Sequence, residues 1–387
     1  PAVLEAYNSL ASEYDVIVIE GAGSPAEINL KQDDIVNMGL AKLVDAPVLL
    51  VGDIDRGGVF AQLYGTVALL EEDERRRIKG VVVNKFRGDR AILEPGLKTL
   101  EQLCGIPVAG VIPYTHVDID DEDSLTERFD RSKERKLLDI AVIRVPRISN
   151  FTDFSPFEHY GNVSLRYVDQ VSDLHQPDMI LLPGTKSTIA DLRWLRQSGL
   201  EAAILKAADA GTLVFGICGG YQMMGQEVLD PEHVEGDIER LPGLGLLPIS
   251  TRMSGEKVTR QVKFGLCNPH SPSSTLHSPF MQGYEIHMGV TTPVEGTPDS
   301  PLNLLENGST DGYYVDSTCM GTYIHGILDN PEFIDFLLAP FADKLSGNAG
   351  AFDYHTFKEE QYDRLAEHVR RHVNLPLIYQ ILTKNHD

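Results

Sequence analysis

The 387-residue sequence contains little cysteine, and its cysteines are isolated from one another. Cys104, Cys218, Cys267 and Cys319 form no CxxC pair, which disfavours a disulfide framework or a structural zinc site and favours a reducing compartment. No apolar run approaches the ~18 residues that a membrane-spanning helix needs. We therefore expect a cytoplasmic protein with no membrane partner.

Basic residues are also scarce. The 34 Lys and Arg residues are outnumbered by 57 Asp and Glu, which gives a formal net charge of −23. A chain this acidic is repelled by phosphate backbones, so we expect no nucleic-acid partner. The hydrophobic fraction of 42% and the charged fraction of 24% are typical of a globular protein, and the length predicts two or three domains.

Apolar runs alternate with helical patterns in the first part of the chain. Strands are predicted at 15–20, 46–53, 80–84 and 108–112, and helices near 34–44, 58–74 and 91–104. Val/Ile/Leu-rich strands separated by helices indicate a parallel α/β sheet. Functional groups of such sheets gather at the carboxyl ends of the strands, where Glu20, Asp53 and Asn84 lie.

A polar, charged stretch at 118–136 predicts a linker. A second alternation follows, with strands expected at 138–145, 164–168, 178–183 and 212–217, a β-rich region at 243–325 and a helical tail. We therefore predict a first domain at 1–117, the linker at 118–136, a second domain at 137–345 and a C-terminal tail at 346–387.

The most specific motif is VFGICGGYQMMG at 214–225, which places Cys218 on a tight turn between a strand and a helix. Glycines permit the sharp bend and a close approach to a ligand, and the helix dipole favours a thiolate. The alternative is a buried core cysteine, which is the commoner situation for an arbitrary cysteine.

Other segments fit the chemistry of a thiol nucleophile. MILLPGTKS at 179–187 has a Pro-Gly turn whose backbone N–H groups can bind an oxyanion. GTYIHG contains His325, which could take the thiol proton and return it to a leaving amine. GYEIHMG carries Glu285 and His287 on one face of a strand. An ordinary loop and a packed histidine are the structural alternatives.

The strand ends of the first domain carry side chains typical of a nucleotide site. Acids there can bind Mg²⁺, basic groups beside glycines can bind phosphate, and an Asn-Lys pair can contact a base. Acids and glycines are common in loops, but their occurrence at successive strand ends favours one composite site. The residues are Glu20, Asp53, Asp55, Arg56, Asn84 and Lys85.

Several motifs carry a family resemblance. GICGGYQMMG, LPGTKSTIADLRWLR, GYEIHMG and GTYIHG resemble class I, triad-type glutamine amidotransferases, and more narrowly the cobyric acid synthase branch. EGAGSPAEINL, VGDIDRGGVF and VVVNKFRGDR resemble the same branch, whose first domain is similar to dethiobiotin synthetase. The resemblance implies an α/β fold: a partial P-loop NTPase-like domain with a parallel sheet, then a flavodoxin-like amidotransferase domain.

The resemblance also implies the roles of individual residues. Cys218 is the expected nucleophile and His325 its general acid and base. The backbone N–H groups around Gly184 and Gly219 match the oxyanion-hole positions, and Gln222 matches a position that helps to hold glutamine.

One position departs from the wider amidotransferase pattern. Many triad enzymes have Glu two residues after the histidine, whereas this chain, like the cobyric acid synthase branch, has another residue there, Ile327. Glu285 and His287 are the candidates to orient His325 instead. Without an orienting acid, we expect slow turnover by the isolated glutaminase.

The reaction implied by the resemblance uses L-glutamine and ATP to amidate the b, d, e and g carboxylates of adenosyl-cobyrinic acid a,c-diamide. Glu20 and Asp53 are the expected Mg²⁺ ligands, and a homo-oligomer is among the expectations. The sequence has no GxxxxGK[ST] motif. The resemblance implies such a loop upstream of these segments, so we expect this chain alone to bind ATP weakly or not at all.

Two alternatives stay open at this point. A related amidotransferase acting on another substrate, such as a peptidoglycan precursor, would share Cys218 and His325. A non-catalytic α/β scaffold would explain the missing phosphate loop and Ile327.

Thiol labelling separates an enzyme from a scaffold. A glutamine-analogue electrophile should modify Cys218 well ahead of the other three cysteines, because only a nucleophile in a glutamine site combines reactivity with recognition. Peptide mass spectrometry after a short exposure measures the order of labelling. Equal modification of all four cysteines would favour the scaffold.

Overall fold

The computed structural model describes residues 2–31, 34–119, 135–267, 280–345 and 352–383. The chain forms two compact units, Pro1–Asp118 with Glu360–Asp387, and Ile119–Glu359. Most of the linker predicted at 118–136 lies outside the described residues, as do the ends of the tail predicted at 346–387. This division does not coincide with the domain bounds expected from the sequence, which stay a prediction.

The first unit contains a three-stranded sheet in the order β1-β2-β3, in which both pairs of strands are parallel. Val81 and Val83 of the central strand are fully buried, since helices and neighbouring strands cover it. In chain order, the elements are α1 Ala2–Ala11, α2 Met38–Leu43, β1 Val48–Asp53, α3 Val59–Leu69, α4 Glu72–Arg77, β2 Ile78–Phe86, α5 Arg90–Cys104 and β3 Val108–Pro113.

The strand predicted at 15–20 is wrong in this structure. The segment has no regular secondary structure, and Val18 is 92% exposed. A Val/Ile run becomes a strand only when another strand pairs with its backbone, and no described strand pairs with this one. The predicted strands at 46–53, 80–84 and 108–112 are confirmed as β1, β2 and β3.

The second unit has more strands than helices. Its elements are β4 Leu138–Ile143, β5 Ile148–Ser149, β6 Val163–Val168, α6 Val171–Leu174, β7 Met179–Leu182, β8 Gly184–Thr185, α7 Thr188–Ser198, α8 Leu200–Asp209, β9 Leu213–Ile217, α9 Gly219–Met223, β10 Glu227–Leu229, β11 Arg240–Pro242, β12 Ile249–Leu266, β13 Met281–Pro293, β14 Asn303–Leu305, β15 Thr310–Asp311, β16 Tyr313–Asp316, β17 Cys319–Thr322, β18 Ile324–His325, α10 Pro331–Leu338 and α11 Ala342–Leu345. Two further helices follow along the chain. They are α12 Tyr354–His372, which belongs to the first unit from Glu360 onward, and α13 Leu375–Thr383, which lies wholly in the first unit.

A six-stranded sheet in the order β16-β17-β9-β7-β4-β6 forms the core of this unit, and only β16 runs antiparallel to its neighbour. Every residue of β4 is buried. Ile140 and Val142 pack into one hydrophobic cluster, and Ala141 and Ile143 into another, because successive side chains point to opposite faces. The predicted α/β class with parallel sheets is therefore confirmed.

The β-rich region predicted at 243–325 forms most of a second, seven-stranded sheet. The long strands β12 and β13 pair antiparallel, and β13 pairs with the short strand β18. This pairing places Tyr284 opposite His325.

The turn after β9 depends on a very close approach between backbones. A Cβ atom on Gly220 would lie 2.0 Å from the Leu182 carbonyl oxygen, and one on Gly216 would lie 2.6 Å from the Met224 sulfur. Helix α9 therefore packs against the sheet at a distance that only glycine allows.

Replacing Gly220 with alanine should destabilise the second unit by about 2 kcal/mol or more, since the methyl group meets backbone atoms that cannot move aside. Chemical denaturation measures the free energy of unfolding. Gly161→Ala is the matched control, because no atom lies within 4 Å of its added Cβ. Equal stability of the two variants would contradict this account.

Candidate active site

Cys218 lies between the last residue of β9 and the first residue of α9, with φ 54° and ψ −112°. A positive φ is rare for a residue other than glycine and marks a backbone that its surroundings hold in place. The Cys218 N–H donates to the Thr322 carbonyl oxygen at 2.8 Å, which ties the turn to β17. The side chain is 6% exposed, and its Sγ lies 3.7 Å from the Ile286 carbonyl oxygen.

The thiol lines a cavity of about 560 Å³, which is large enough for an amino acid. Loops that follow β5, β8 and β9 form one side of it, and strands β12 and β13 form another. Its residues are Ser149, Asn150, Thr185, Lys186, Ser187, Thr188, Cys218, Gly219, Gln222, Val234, Glu235, Met253, Lys257, Ile286, His287 and Met288.

His325 is held by an acid that the sequence reasoning did not assign. Its Nδ1 lies 2.7 Å from Oδ2 of Asp153, and the other carboxylate oxygen accepts the Gly326 N–H at 2.9 Å. Both side chains are almost fully buried, 1% exposed for His325 and 3% for Asp153. A carboxylate on Nδ1 orients the ring and directs Nε2 to the reaction, which is the role of the third member of a catalytic triad.

The surroundings of His325 favour its protonated form. Burial by itself lowers the pKa, but the charge and hydrogen bond of Asp153, together with the Cys218 side chain, outweigh it and raise the pKa to about 10. An imidazolium is therefore the favoured form at neutral pH, and it can donate a proton to a leaving amine. Because this pKa is raised, the interaction stabilises the fold fully below the unfolded pKa of about 6.5, and its contribution is lost as the pH rises through 10.

A 3-10 helix at Phe151–His159 carries Asp153 into the core. Asn150 precedes it in the left-handed conformation, at φ 51°, and its carbonyl oxygen accepts the Asp153 N–H at 3.0 Å. Phe154 and Phe157 of this helix are fully buried. The sequence does carry a signal for Asp153. It lies among phenylalanines spaced by three, which indicates burial, and a buried carboxylate needs a partner.

Glu285 and His287, the residues expected to orient His325, have other contacts. Glu285 is bonded to Arg260 on the neighbouring strand. The His287 ring stacks on Tyr323 with ring centroids 3.8 Å apart, and burial lowers its pKa. Asp153 therefore holds the His325 ring, in place of the expected Glu285 or His287. Ile327 is a fully buried core side chain.

Gly184 and Gly219, the expected oxyanion-hole residues, lie beside His325 and Cys218 respectively. A Cβ on Gly184 would be 3.1 Å from Cε1 of His325, so its backbone passes close to the ring. Gly219 is the first residue of α9, where the helix itself supplies no acceptor for the N–H. The use of these two N–H groups for an oxyanion stays a prediction.

Gln222 is buried, and its amide group is held by protein contacts. Its Oε1 accepts from Thr188 at 2.7 Å, while Nε2 donates to the Met288 carbonyl oxygen at 2.9 Å and to the Tyr323 hydroxyl at 3.1 Å. Both amide hydrogens are therefore committed. The contacts favour a positioning role for Gln222 within the cavity wall, and the predicted contact with glutamine stays a prediction.

A buried carboxylate supports the strand that carries the histidine. Asp311 accepts hydrogen bonds from Asn303 at 3.0 Å, from the Tyr323 N–H at 3.0 Å and from Thr322. Burial raises the pKa of Asp311, although these three hydrogen bonds act to lower it. The network fixes the chain just before His325, and no sequence motif indicated it.

The other cysteines are poorer nucleophiles than an exposed thiol. Burial raises the pKa of Cys104 and of Cys267, and raises that of Cys319 to about 12. Less thiolate is then available at these positions at neutral pH.

In the first unit, two of the acids predicted for the ATP site pair with basic residues at the carboxyl ends of β1 and β2, one with Lys85 of the predicted set and the other with Arg87, which was not predicted. Lys85 Nζ lies 2.9 Å from Oδ2 of Asp53, and Arg87 donates two hydrogen bonds to Asp55 at 2.9 and 3.1 Å. These partners hold the pKa of both carboxyl groups below the usual range. Lys85 takes φ 58° in an irregular part of β2, which turns it toward Asp53.

The remaining members of this predicted site are less defined. Glu20 and Arg56 are exposed, and Asn84 accepts the Lys85 N–H with its side-chain oxygen at 2.9 Å. Within the described ranges, no three His, Cys, Asp or Glu side chains cluster as metal ligands do. The assignment of Mg²⁺ to Glu20 and Asp53 therefore stays a prediction.

Comparison with known proteins agrees with this geometry. A family model described as a CobB/CobQ-like glutamine amidotransferase domain matches residues 139–333, and a model described as an AAA domain matches residues 2–120. Over its described part, the chain has no helix with both the length and the apolar character to cross a membrane.

The chain is similar to curated proteins named cobyric acid synthase. It is 56% identical to the protein of Bacteroides fragilis over 383 residues, covering 98% of this chain and 75% of that protein. It is 54% identical to the protein of Phocaeicola vulgatus with the same coverage of each chain, 98% and 75%. It is 52% identical to that of Lachnoclostridium phytofermentans, covering 99% of this chain and 77% of the relative.

Replacing Asp153 with asparagine should lower kcat for glutamine hydrolysis by about 10³- to 10⁴-fold, as expected when a triad loses its carboxylate. The charge and hydrogen bond that raise the His325 pKa are weakened, so this pKa should fall well below 10. Steady-state kinetics and an NMR titration of the histidine measure the two effects.

Glu285→Gln is the matched control for this prediction, because it also neutralises a buried carboxylate near the site. It should leave the His325 pKa raised and reduce kcat far less than Asp153→Asn. An unchanged His325 pKa in Asp153→Asn would contradict the assignment of Asp153.

Proposed function

Since this chain belongs to the cobyric acid synthase family, we propose that Cys218, His325 and Asp153 release ammonia from glutamine for the amidation of a corrinoid. Members of this family are ATP-dependent, glutamine-hydrolysing amide ligases of cobalamin biosynthesis. The observation that carries the proposal is the buried Asp153–His325 pair in contact with the Cys218 side chain, which sits on a strained turn and lines a cavity.

In the proposed glutaminase reaction, the Cys218 thiolate attacks the carboxamide carbon of glutamine. The N–H groups of Gly184 and Gly219 stabilise the negative charge that develops on the carboxamide oxygen. His325 donates its proton to the nitrogen as the C–N bond breaks, so that ammonia leaves and a glutamyl thioester remains. Neutral His325 then takes a proton from water as the water oxygen attacks the thioester. The C–S bond breaks, glutamate is released with its new carboxyl proton passing to solvent, and the Cys218 thiolate and protonated His325 are regenerated.

Asp153 keeps His325 in position through both halves of this cycle. Its carboxylate accepts from Nδ1, so the proton moves at Nε2 alone. Its second oxygen accepts the Gly326 N–H, which restrains the backbone directly after His325. The residue therefore supplies the orienting acid that position 327 lacks.

The proposed acceptor is adenosyl-cobyrinic acid a,c-diamide, at its b, d, e and g carboxylates. ATP, when bound, phosphorylates a carboxylate so that ammonia can displace phosphate and form the amide. Exposed Arg56 and Lys85 would contact phosphate groups, and Asp53 and Glu20 would contact Mg²⁺. The Asp53 carboxylate and the Lys85 ammonium group, at the carboxyl ends of β1 and β2, fit a magnesium–phosphate ligand in their chemistry.

The proposal predicts that the two half-reactions separate. In the full protein as the cell makes it, Cys218→Ala should lose glutamine-dependent amidation by at least about 10³-fold and should keep amidation driven by ammonium salts. Mass spectrometry of the corrinoid, with amide-¹⁵N glutamine or ¹⁵N-ammonium as the nitrogen source, measures both. Cys319→Ala is the control, because this cysteine lies outside the cavity.

Amidation by neither nitrogen source in the unaltered protein would refute the corrinoid assignment. Retained glutamine-dependent amidation in Cys218→Ala would refute the role of the thiol.

A further inference from the structure

We propose that Glu235 binds the α-ammonium group of glutamine and makes the cavity selective for a free amino acid. The inference rests on the proposed glutaminase function and adds a substrate-recognition residue to it. Glu235 lines the same cavity as Cys218, and it lies outside every motif that the sequence reasoning singled out.

Glu235 is connected to the turn that carries Cys218 through a single residue, Thr188. Gly219, next to the nucleophile, packs on Thr188, whose Oγ1 would lie 3.4 Å from a Cβ on Gly219. The Thr188 N–H in turn donates to Oε1 of Glu235 at 3.0 Å. Thr188 therefore contacts both the turn that carries Cys218 and the Glu235 carboxylate, and all three residues line the same cavity.

The contacts of Glu235 leave room for a ligand. Its oxygens accept from the Thr188 N–H at 3.0 Å, from the Ile189 N–H at 2.8 Å and from the Ser187 hydroxyl at 3.4 Å. These donors all belong to the start of α7. A carboxylate has about four lone-pair sites, so acceptor capacity remains for a further donor.

The charge of Glu235 also lacks a protein counter-ion. In the described part of the chain, it forms no ion pair with Lys, Arg or His, and the Asp230 carboxylate is near it. Burial and the nearby charge of Asp230 raise the pKa of Glu235, whereas the three hydrogen bonds lower it. The net effect is a raised pKa. A half-buried carboxylate without a cation favours a positively charged ligand, and an ammonium group supplies that charge.

The cavity carries the opposite charge on other walls. Lys186 and Lys257 also line it, both are exposed, and neither forms an ion pair among the residues that the structure describes. Lysines beside one lone carboxylate match the two charges of an α-amino acid, whose carboxylate and ammonium groups share one carbon. Asp230 fixes the loop by accepting the Val234 and Glu235 N–H groups, each at 2.8 Å.

Glu235 also caps α7, so the test must separate recognition from support of the helix. Glu235→Gln keeps an acceptor oxygen for the helix and removes the charge. We compare hydrolysis of L-glutamine with that of glutaramate, which is glutamine without its amino group. Glu239→Gln is the matched control, because the same substitution falls on the same loop at a residue outside the cavity.

For L-glutamine, Glu235→Gln should raise KM by about 10- to 100-fold with kcat nearly unchanged, the effect of losing one hydrogen bond to a charged group. For glutaramate, the same variant should change kcat/KM by no more than about 2-fold, since the contact never forms. Glu239→Gln should leave both substrates unaffected. An equal loss with both substrates in Glu235→Gln would mean that the residue only caps the helix, and would overturn the proposal.

A binding measurement keeps this test independent of turnover. Calorimetry with Cys218→Ala protein, with and without Glu235→Gln, should show a loss of affinity of about 10- to 100-fold for L-glutamine and none for glutaramate. Absence of hydrolysis in the unaltered protein would refute the proposed function, while this titration still decides the role of Glu235. Equal affinity of the two Cys218→Ala proteins for L-glutamine would refute the ammonium contact.

Discussion

The buried hydrogen bond between Asp153 and His325 is the contact on which the second unit's site depends. A carboxylate and an imidazole that are 3% and 1% exposed would each be unfavourable in the core alone. Together they satisfy one another, and the second carboxylate oxygen binds the Gly326 backbone. The contact joins the 3-10 helix that follows β5 with β18, the short strand that pairs with β13.

Cys218, the proposed nucleophile, is positioned by sterics rather than by charge. Glycines on both sides of Cys218 let α9 approach the sheet, and the thiol then projects from a residue with positive φ. The Cys218 N–H is fixed by β17, the strand that leads to His325. The two reactive side chains therefore share one support, and Asp311 stabilises the same segment through Thr322 and Tyr323.

The first unit follows a different rule at its strand ends. Asp53 and Asp55 are each paired with a basic side chain that comes from β2 or the residue after it, so acids and bases neutralise one another across two strands. These pairs are partly exposed, and water screens such charges. These pairs therefore stabilise the fold little, and their main effect is to place both signs of charge at one edge of the sheet.

The sequence by itself determined what depends on neighbouring residues along the chain. Apolar runs predicted β1, β2, β3, β4 and β9, and the spacing of glycines around Cys218 predicted the turn, because these features are local. The run at 15–20 failed as a strand since strand formation needs a partner, which no local pattern reports. The resemblance of the motifs identified the family and its reaction.

Only the tertiary structure decided which acid serves His325. Asp153 lies 172 residues before it. The apolar pattern around Asp153 indicates a buried acid but does not name its partner, and Glu285 lies on the paired strand yet bonds to Arg260. The position of Glu235 in the cavity also depends on tertiary contacts. Asp230 accepts the Glu235 N–H, and the Glu235 carboxylate binds the start of α7. Pairing between distant side chains depends on how elements pack, and packing is a property of the whole chain rather than of any segment.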